Sequence, residues 1–406
     1  SWVDRYKQDT NLVYGISEFD LSESTLLTLG FSYQTVHTHA PPRSGFPLFD
    51  SAGGRTDFKR SFNTATDWSF YDHDQTSYFA SLEHQFDNGW SAKLDFTHTD
   101  NQYDSAISYL YGDIDPATGL GAAVLPNKFK GNPKQNAIDV YVTGPFELLG
   151  REHELIAGVQ LSQIRNTNAP DYGGWMRGGY DGSIGPVYDW DGNAPKPNFE
   201  KKGEEDFKEN QYSAYLTSRW HLNDATSLIL GGRLINWKQT DDVTYTAAGY
   251  DDIHLNREEN GVFIPYGGIV YDLSDIWSVY ASYTKIFSPQ SDQTVTGSYL
   301  APLEGTGYEL GVKGSFNDDM LNASLALFKL EQDNLSQPDG NNLTPTSFQA
   351  YKAVQGTTTQ GVELELNGEL AQGWNVAGGY TYSVSTDADD QRIATQIPRH
   401  SVKMFT

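Results

Sequence analysis

Two stretches of this chain concentrate aromatic side chains outside any regular pattern of alternating polar and apolar residues. Flat aromatic surfaces beside a few hydrogen-bonding groups can hold a bulky organic ligand by packing and orientation. The same side chains could instead anchor a membrane interface or pack a loop against itself. We select these candidate ligand-binding residues: Trp68 and Tyr71 in the first stretch, and Trp175, Tyr180, Tyr188 and Trp190, beside Arg177, in the second.

Residues with the spacing of a catalytic or metal site do not stand out in the sequence. The chain has no cysteine, no Gly-x-Ser-x-Gly nucleophile turn and no convincing glycine-rich phosphate loop. His37 and His39 could share one face of a strand, but no clear third metal ligand accompanies them. We therefore expect neither catalysis nor a protein-bound metal.

The elements that must position the aromatic stretches are strands, because polar and apolar residues alternate one by one. In residues 90–99 the apolar residues share one parity and the polar residues share the other. Successive side chains of a strand point to opposite faces, so each such segment has one apolar face. Aromatic residues near the segment ends suit strands that cross about 25 Å of hydrocarbon. The pattern recurs at residues 212–222, 277–287, 321–327, 362–366 and 374–380.

Short and long connections alternate strictly along the chain, so all short ones must lie at one end of the sheet. This alternation predicts a transmembrane antiparallel β-barrel, with short periplasmic turns and long extracellular loops. We expect one domain over residues 1–406, with about 14 strands and a possible fifteenth at 400–406. Hydrocarbon does not tolerate open sheet edges, so these strands should belong to a larger barrel. The predicted long loops are about 36–74, 100–135, 165–209, 238–260, 288–304, 332–356 and 384–398.

Composition is compatible with a barrel and argues against some partners. Hydrophobic residues make up only 38% of the 406 residues, which suffices because only every second strand residue must face lipid. The net charge of −25 argues against nucleic acid, whose phosphates require a basic surface. The acidic residues could simply hydrate the outer loops, or they could attract divalent cations that bridge anionic lipopolysaccharide.

Several motifs occur in one order and resemble the barrel of TonB-dependent ferric-siderophore receptors. The later motifs are YASYTKIFSPQ (280–290), GYELGVKGSF (307–316), LNASLALFKLEQDN (321–334) and GVELELNGELAQGWNVAGGYTYS (361–383). The earlier FPLFDSAG (46–53), RSFN (60–63) and GPFELLGREHELIAGV (144–159) are most similar to the ferripyoverdine and ferric hydroxamate branch. The resemblance extends over essentially the entire chain.

This resemblance implies a roughly 22-stranded barrel in the bacterial outer membrane, closed by a plug domain that we expect to lie outside this chain. It implies uptake of a ferric siderophore, with energy from the TonB–ExbB–ExbD complex acting through the plug. The iron of the cargo is already coordinated, so no cofactor is expected, and the aromatic loops would hold the organic shell. We also expect a monomer that contacts outer-membrane lipid and lipopolysaccharide.

The sequence leaves alternative functions open. A porin, or a TonB-dependent transporter for another nutrient, is the main alternative, whereas an outer-membrane enzyme should show a catalytic constellation. Which siderophore is carried stays undecided between hydroxamate and pyoverdine types.

The charged residues Glu309, Lys313, Glu363 and Glu365 lie on the polar parity of their strands. They could anchor the plug through hydrogen bonds or simply form a hydrated wall.

Overall fold

The computed structural model describes residues 2–43, 46–176, 179–345 and 348–406, and they are almost entirely β-structure. Within those ranges the longest helical element is a single 3-10 turn, Val187–Asp189, so no helix is long and apolar enough to span a membrane. The strands are β1 (Lys7–Ser22), β2 (Thr25–His39), β3 (Phe70–Gln85), β4 (Ser91–Gly112), β5 (Ala122–Gly131), β6 (Lys134–Leu148), β7 (Arg151–Asp171), β8 (Gly203–Asn223), β9 (Thr226–Tyr245), β10 (Ile253–Asp272), β11 (Trp277–Ser288), β12 (Leu303–Phe316), β13 (Leu321–Asp333), β14 (Leu335–Leu343), β15 (Gln349–Val354), β16 (Thr357–Ala371), β17 (Trp374–Thr386) and β18 (His400–Phe405).

Hydrogen bonding joins sixteen of these strands into one sheet. Fifteen of them follow the order β1-β2-β3-β4-β6-β7-β8-β9-β10-β11-β12-β13-β16-β17-β18, and the sixteenth, β5, pairs with β4 outside this order. β14 and β15 form a separate two-stranded hairpin. Three strands, β5, β14 and β15, lie inside predicted long loops. Loops or water cover both faces of these strands, so no alternation of polar and apolar residues marks them in the sequence.

The chain divides into two compact units. The first comprises Ser1–Tyr141, Val159–Ser213 and Asn236–Asn260, and it contains β1 to β5 together with all of the candidate ligand-binding residues. The second comprises Val142–Gly158, Ala214–Ile235 and Gly261–Thr406, and it contains β11 to β18.

In the first unit, one face of β2, β3 and β4 is built in rows that change from aliphatic to aromatic to polar. Partners across the ladder share a face, so each row can be read from the strand register. The Phe31 and Tyr78 rings lie 5.3 Å apart, and the Tyr78 and His98 rings lie 6.3 Å apart. This face therefore has an apolar band with an aromatic border, as predicted for lipid contact. The successive rows are Leu27–Leu82–Leu94, Leu29–Ala80–Phe96, Phe31–Tyr78–His98 and Tyr33–Thr76–Asp100.

In the second unit, the predicted polar parity of β12 and β16 is confirmed. Leu310, Leu327 and Val362 form one apolar row, in which Leu310 and Leu327 are exposed. Glu309 and Glu363 neighbour members of that row in sequence and so point to the other face. On that polar face the Tyr280 hydroxyl donates to Glu309 Oε1. The Lys313 ammonium lies 4.8 Å from the centre of the Tyr280 ring. These side chains thus form one linked polar group.

Candidate ligand-binding surface

Trp175 lies on an exposed aromatic surface that β4 and β5 support. Its ring meets Tyr109 at 6.2 Å and Phe129 at 6.4 Å between centroids, both edge to face. The N–H of Met176 donates to the carbonyl of Pro126 at 3.0 Å, which fixes the loop against β5. Tyr109 and Phe129 are themselves exposed. Three aromatic rings, one from a loop and two from strands, are therefore presented together on one surface.

Tyr71 lies on the same face as that surface. It stands opposite Ser105 in the β3–β4 ladder, and Ser105 stands opposite Phe129 in the β4–β5 ladder. Neighbouring strands lie about 4.8 Å apart, so Tyr71 and Phe129 have backbones about 10 Å from each other. The Tyr71 side chain is 43% exposed. We call Tyr71, Tyr109, Phe129 and Trp175 the aromatic face; it is opposite to the apolar band of the same strands.

Trp190 and Tyr188 belong to a different group, the loop core. Trp190 packs on a cluster that includes Leu110 and Val124, which are partners in the β4–β5 ladder and point away from the aromatic face. The Tyr188 ring lies 5.5 Å from Phe58, although Tyr188 remains 46% exposed. The loop core therefore covers the other side of β4 and β5. Its buried members are Phe62, Leu110, Ile114, Ala122, Val124 and Val187.

Arg5, which precedes β1, ties together the two loops that meet at the loop core. Its guanidinium donates to Asp67 Oδ1 at 3.0 Å, to the carbonyls of Asn63 and Ala65 at 2.8 and 2.9 Å, and to the carbonyl of Asp191. It also lies 6.0 Å from the centre of the Trp190 ring. No pattern in the sequence singled out this arginine, because its partners are mostly backbone carbonyls of distant segments.

Trp68 and Tyr180 are half-buried supports of the loops. Trp68 meets Phe199 edge to face at 5.9 Å. The Tyr180 hydroxyl donates to the carbonyl of Pro195 at 2.8 Å, and burial raises the pKa of Tyr180. Arg177 lies outside the described residues. The six candidates thus separate into two on the aromatic face, Tyr71 and Trp175, and four that hold the loops.

An acidic group occupies the outer parts of β7, β8 and β9. About 9–11 residues carry a strand across the membrane, so Glu205 and Asp241 lie beyond the spans that start at the Asn223–Ala225 turn. Burial, followed by the charges of Asp241 and Asp171, raises the pKa of Glu205 to about 7. Glu205 is therefore poised to exchange a proton near neutral pH.

Chemically, the surface suits binding rather than bond breaking. Throughout the part of the chain that the structure describes, no three His, Cys, Asp or Glu side chains are close enough together to hold a metal ion. Exposed rings with hydroxyl groups offer packing area and hydrogen bonds to an organic ligand.

Comparisons with known proteins agree with this architecture. Residues 13–406 match the family model described as TonB dependent receptor-like, beta-barrel. The chain is 53% identical to the ferric-pyoverdine BN7/BN8 receptor of Pseudomonas putida and 38% identical to the ferripyoverdine receptor of Pseudomonas aeruginosa. Each match covers 100% of this chain and 49% of the relative, so the chain spans about half the length of these curated relatives.

A solved structure gives the same result. The crystal structure of the ferripyoverdine receptor of the outer membrane of Pseudomonas aeruginosa, bound to ferripyoverdine, superimposes with a TM-score of 0.86 at 37% identity. The match covers 100% of this chain and 53% of that one. These relatives are named as receptors, and none of these names denotes an enzyme.

Proposed function

The chain belongs to the TonB-dependent receptor β-barrel family, and from this we propose that it is the barrel part of a receptor that imports a ferric siderophore. Its strands form part of a transmembrane antiparallel barrel in the bacterial outer membrane. Both named relatives carry pyoverdine in their names, which favours a ferric pyoverdine over a hydroxamate as the cargo. The energy would come from the TonB–ExbB–ExbD complex through a plug.

The observation that carries this proposal is the aromatic face on the side of the sheet opposite to lipid. In a barrel that side is the interior, so Tyr71 and Trp175 would meet a ligand entering from outside. The iron of a ferric siderophore is already fully coordinated, so the receptor contacts only the organic shell and needs no metal ligand of its own. Packing area and shape would therefore set the specificity.

The remaining candidates act through the loops. Trp68, Tyr180, Tyr188 and Trp190 pack among other loop residues and keep the surroundings of the aromatic face in place. A loop held by several buried contacts loses less conformational entropy when a ligand binds. These four residues would therefore influence affinity by preorganisation, while Tyr71 and Trp175 touch the cargo.

The linked polar group on β11 and β12 suits the plug as its partner. Glu309, Lys313 and Tyr280 already share a hydrogen bond and a cation–aromatic contact on the interior side. Carboxylates and an ammonium on the barrel wall can exchange these partners for groups of a plug at little cost. We assign them to plug anchoring, with Glu363 and Glu365 on the next strand pair.

Growth under iron limitation tests the proposed function. A strain deleted for the receptor, complemented with the full gene, is supplied with ferric pyoverdines, ferric hydroxamates or no siderophore. Growth that depends on the gene with ferric pyoverdine supports the proposal. Growth that is equal with and without the gene for every ferric siderophore would favour a porin or a transporter for another nutrient.

A further inference from the structure

Two aromatic side chains of the second unit lie across a glycine of the neighbouring strand. Tyr280 stands opposite Gly311, and Phe328 stands opposite Gly361. A Cβ atom on Gly311 would come within 2.5 Å of the Tyr280 ring, and one on Gly361 would come within 2.7 Å of the Phe328 ring. Carbon atoms do not approach so closely in folded proteins, so only glycine allows these rings to lie against the sheet.

Tyr266 repeats this arrangement. Its ring covers Gly231, and its hydroxyl shares a hydrogen bond with the hydroxyl of Thr217. We call Tyr266, Tyr280 and Phe328 the ring belt. Each of the three side chains is half-buried. Because a glycine lies beneath each ring, the belt lies along the wall rather than projecting away from it.

The ring belt is on the interior side of the sheet. Phe328 follows Leu327, a member of the apolar row on the lipid side, so it points to the opposite face. Tyr280 belongs to the linked polar group on that same face. Tyr266 stands opposite Thr284, which is an even number of residues from Tyr280. All three rings therefore share one face.

The ring belt spans a short height along the strands. Tyr266 is level with Thr284 of β11, and Phe328 is level with Ser282. Together with Tyr280, the rings thus occupy four residue steps, or about 13 Å at about 3.3 Å per residue. Ser282 and Thr284 are exposed among the rings. The interior wall here is an open strip bordered by aromatic side chains.

A cavity of about 810 Å³ continues this strip toward the periplasmic turns. It begins at Ser278, two residues from Tyr280, and it extends to Asp224 and Ile276 at two of the turns. One row of its lining crosses β11, β12, β13 and β16, namely Ser278, Lys313, Ser324 and Glu365. A polar space of the size that holds small organic ligands therefore follows the ring belt on the same wall.

We propose that the ferric siderophore passes to the periplasm along this wall, over the ring belt and through the cavity, while the plug is drawn away from it. The route rests on the proposed transport function and adds a path to it. Aromatic rings pack on the organic shell of the cargo, and several weak contacts in series allow a solute to enter and also to leave. The hydrogen bond and the cation–aromatic contact at Tyr280 can be exchanged, which would let the plug leave this wall.

Substitution of one ring tests the route in the full-length receptor. Phe328→Ala should slow uptake of iron from ferric pyoverdine about fivefold, while affinity measured by fluorescence quenching is unchanged. Phe328→Tyr should restore the rate. Phe79→Ala is the matched control, because Phe79 covers Gly30 on the interior side of the first unit, off the proposed route, and its uptake should be normal. Equal uptake by Phe328→Ala and Phe79→Ala would overturn the proposal.

Thiol labelling tests the route without removing a ring. Ser282→Cys lies within the ring belt, and Ser81→Cys lies on the interior side of β3 as the control. Each is placed alone in a full-length receptor without other accessible cysteines, and cells receive ferric pyoverdine and a fluorescent maleimide, with or without an uncoupler. Labelling at residue 282 should be several-fold faster in energised cells, with no change at residue 81. Unchanged labelling at 282, or an equal increase at both positions, contradicts the route.

Uptake of iron by the wild-type receptor in the same cells separates the two claims. Absent uptake would refute the transport function itself. Normal uptake with unchanged labelling at residue 282 would refute only the route along the ring belt.

Discussion

Trp175 stands edge to face against Phe129, with ring centroids 6.4 Å apart and an interplanar angle of 82°. One ring comes from a long loop and the other from β5. This contact fixes the distance between a variable loop and a rigid strand. A ligand that packs on both rings would therefore meet a surface that is already formed.

Removing the aromatic face should weaken binding of the cargo. Trp175→Ala or Tyr71→Ala is expected to reduce affinity for ferric pyoverdine by about tenfold, since a lost aromatic contact costs roughly 0.5–1.5 kcal/mol beyond its buried area. Trp175→Phe should retain most of the affinity. Fluorescence quenching of the full-length receptor measures this. Tyr33→Ala, on the lipid side of the same sheet, is the matched control and should bind normally. Equal affinities for Tyr71→Ala, Trp175→Ala and Tyr33→Ala would show that Tyr71 and Trp175 do not contact the ligand.

Arg5 should hold the loop core rather than contact the ligand. Arg5→Gln removes charge-assisted bonds to Asp67 and to three carbonyls, so amide exchange at residues 61–69 and 190–194 should become about tenfold faster. Arg60→Gln, an exposed arginine of the same region, serves as the control. Hydrogen exchange followed by mass spectrometry measures both variants. Unchanged exchange in Arg5→Gln would show that the loop core is held by its apolar contacts alone.

The outer part of β8 should be sensitive to pH through Glu205. Its pKa is raised above the unfolded value, so this part is most stable when Glu205 is protonated. That contribution is complete below about pH 4.5 and is lost as pH rises through about 7. Amide protection near residues 203–209 should therefore fall by up to about tenfold between pH 5 and pH 8, after correction for intrinsic exchange. Glu205→Gln should make amide protection in this segment nearly independent of pH. If protection in that variant still falls between pH 5 and pH 8, another titrating group is responsible.

The polar group on β11 and β12 should affect transport more than binding. Glu309→Gln/Lys313→Gln disturbs the hydrogen bond and the cation–aromatic contact at Tyr280 without changing the aromatic face. We expect uptake of iron to slow several-fold while affinity for ferric pyoverdine is unchanged. Uptake and quenching are measured on the same full-length variants. Normal uptake in this variant would indicate that these side chains are exposed to water and do not anchor a plug.

The sequence predicted the strand faces well because alternation is a local property. Leu94 and Phe96 point to the apolar band as expected, and Glu309 lies on the polar side as expected. The strand β5 was not predicted, because its buried and exposed residues follow the packing of loops on both faces. Outside the membrane, loops can cover both faces of a strand. Alternation of apolar and polar residues then no longer indicates which residues are buried.

The sequence did not show where in the fold the candidate residues lie. Trp175 and Trp190 are both aromatic residues of one loop, yet they pack on opposite faces of β4 and β5. The face on which each tryptophan packs depends on the pairing of Tyr109 and Leu110 with β5. This pairing cannot be read from the spacing of residues in the sequence. Tyr109 and Phe129 were overlooked for the same reason, since both lie in the predicted long loop 100–135 and only the β4–β5 ladder brings them to Trp175.

Uptake of radiolabelled iron tests the central claim most directly. Cells deleted for their own receptor and carrying the full gene are given iron as ferric pyoverdine, with and without an uncoupler that dissipates the inner-membrane proton gradient. The structure and its relatives predict gene-dependent accumulation that the uncoupler abolishes and that Trp175→Ala reduces. Accumulation that is absent, or that proceeds equally in uncoupled cells, would contradict energised transport of a ferric siderophore by this barrel.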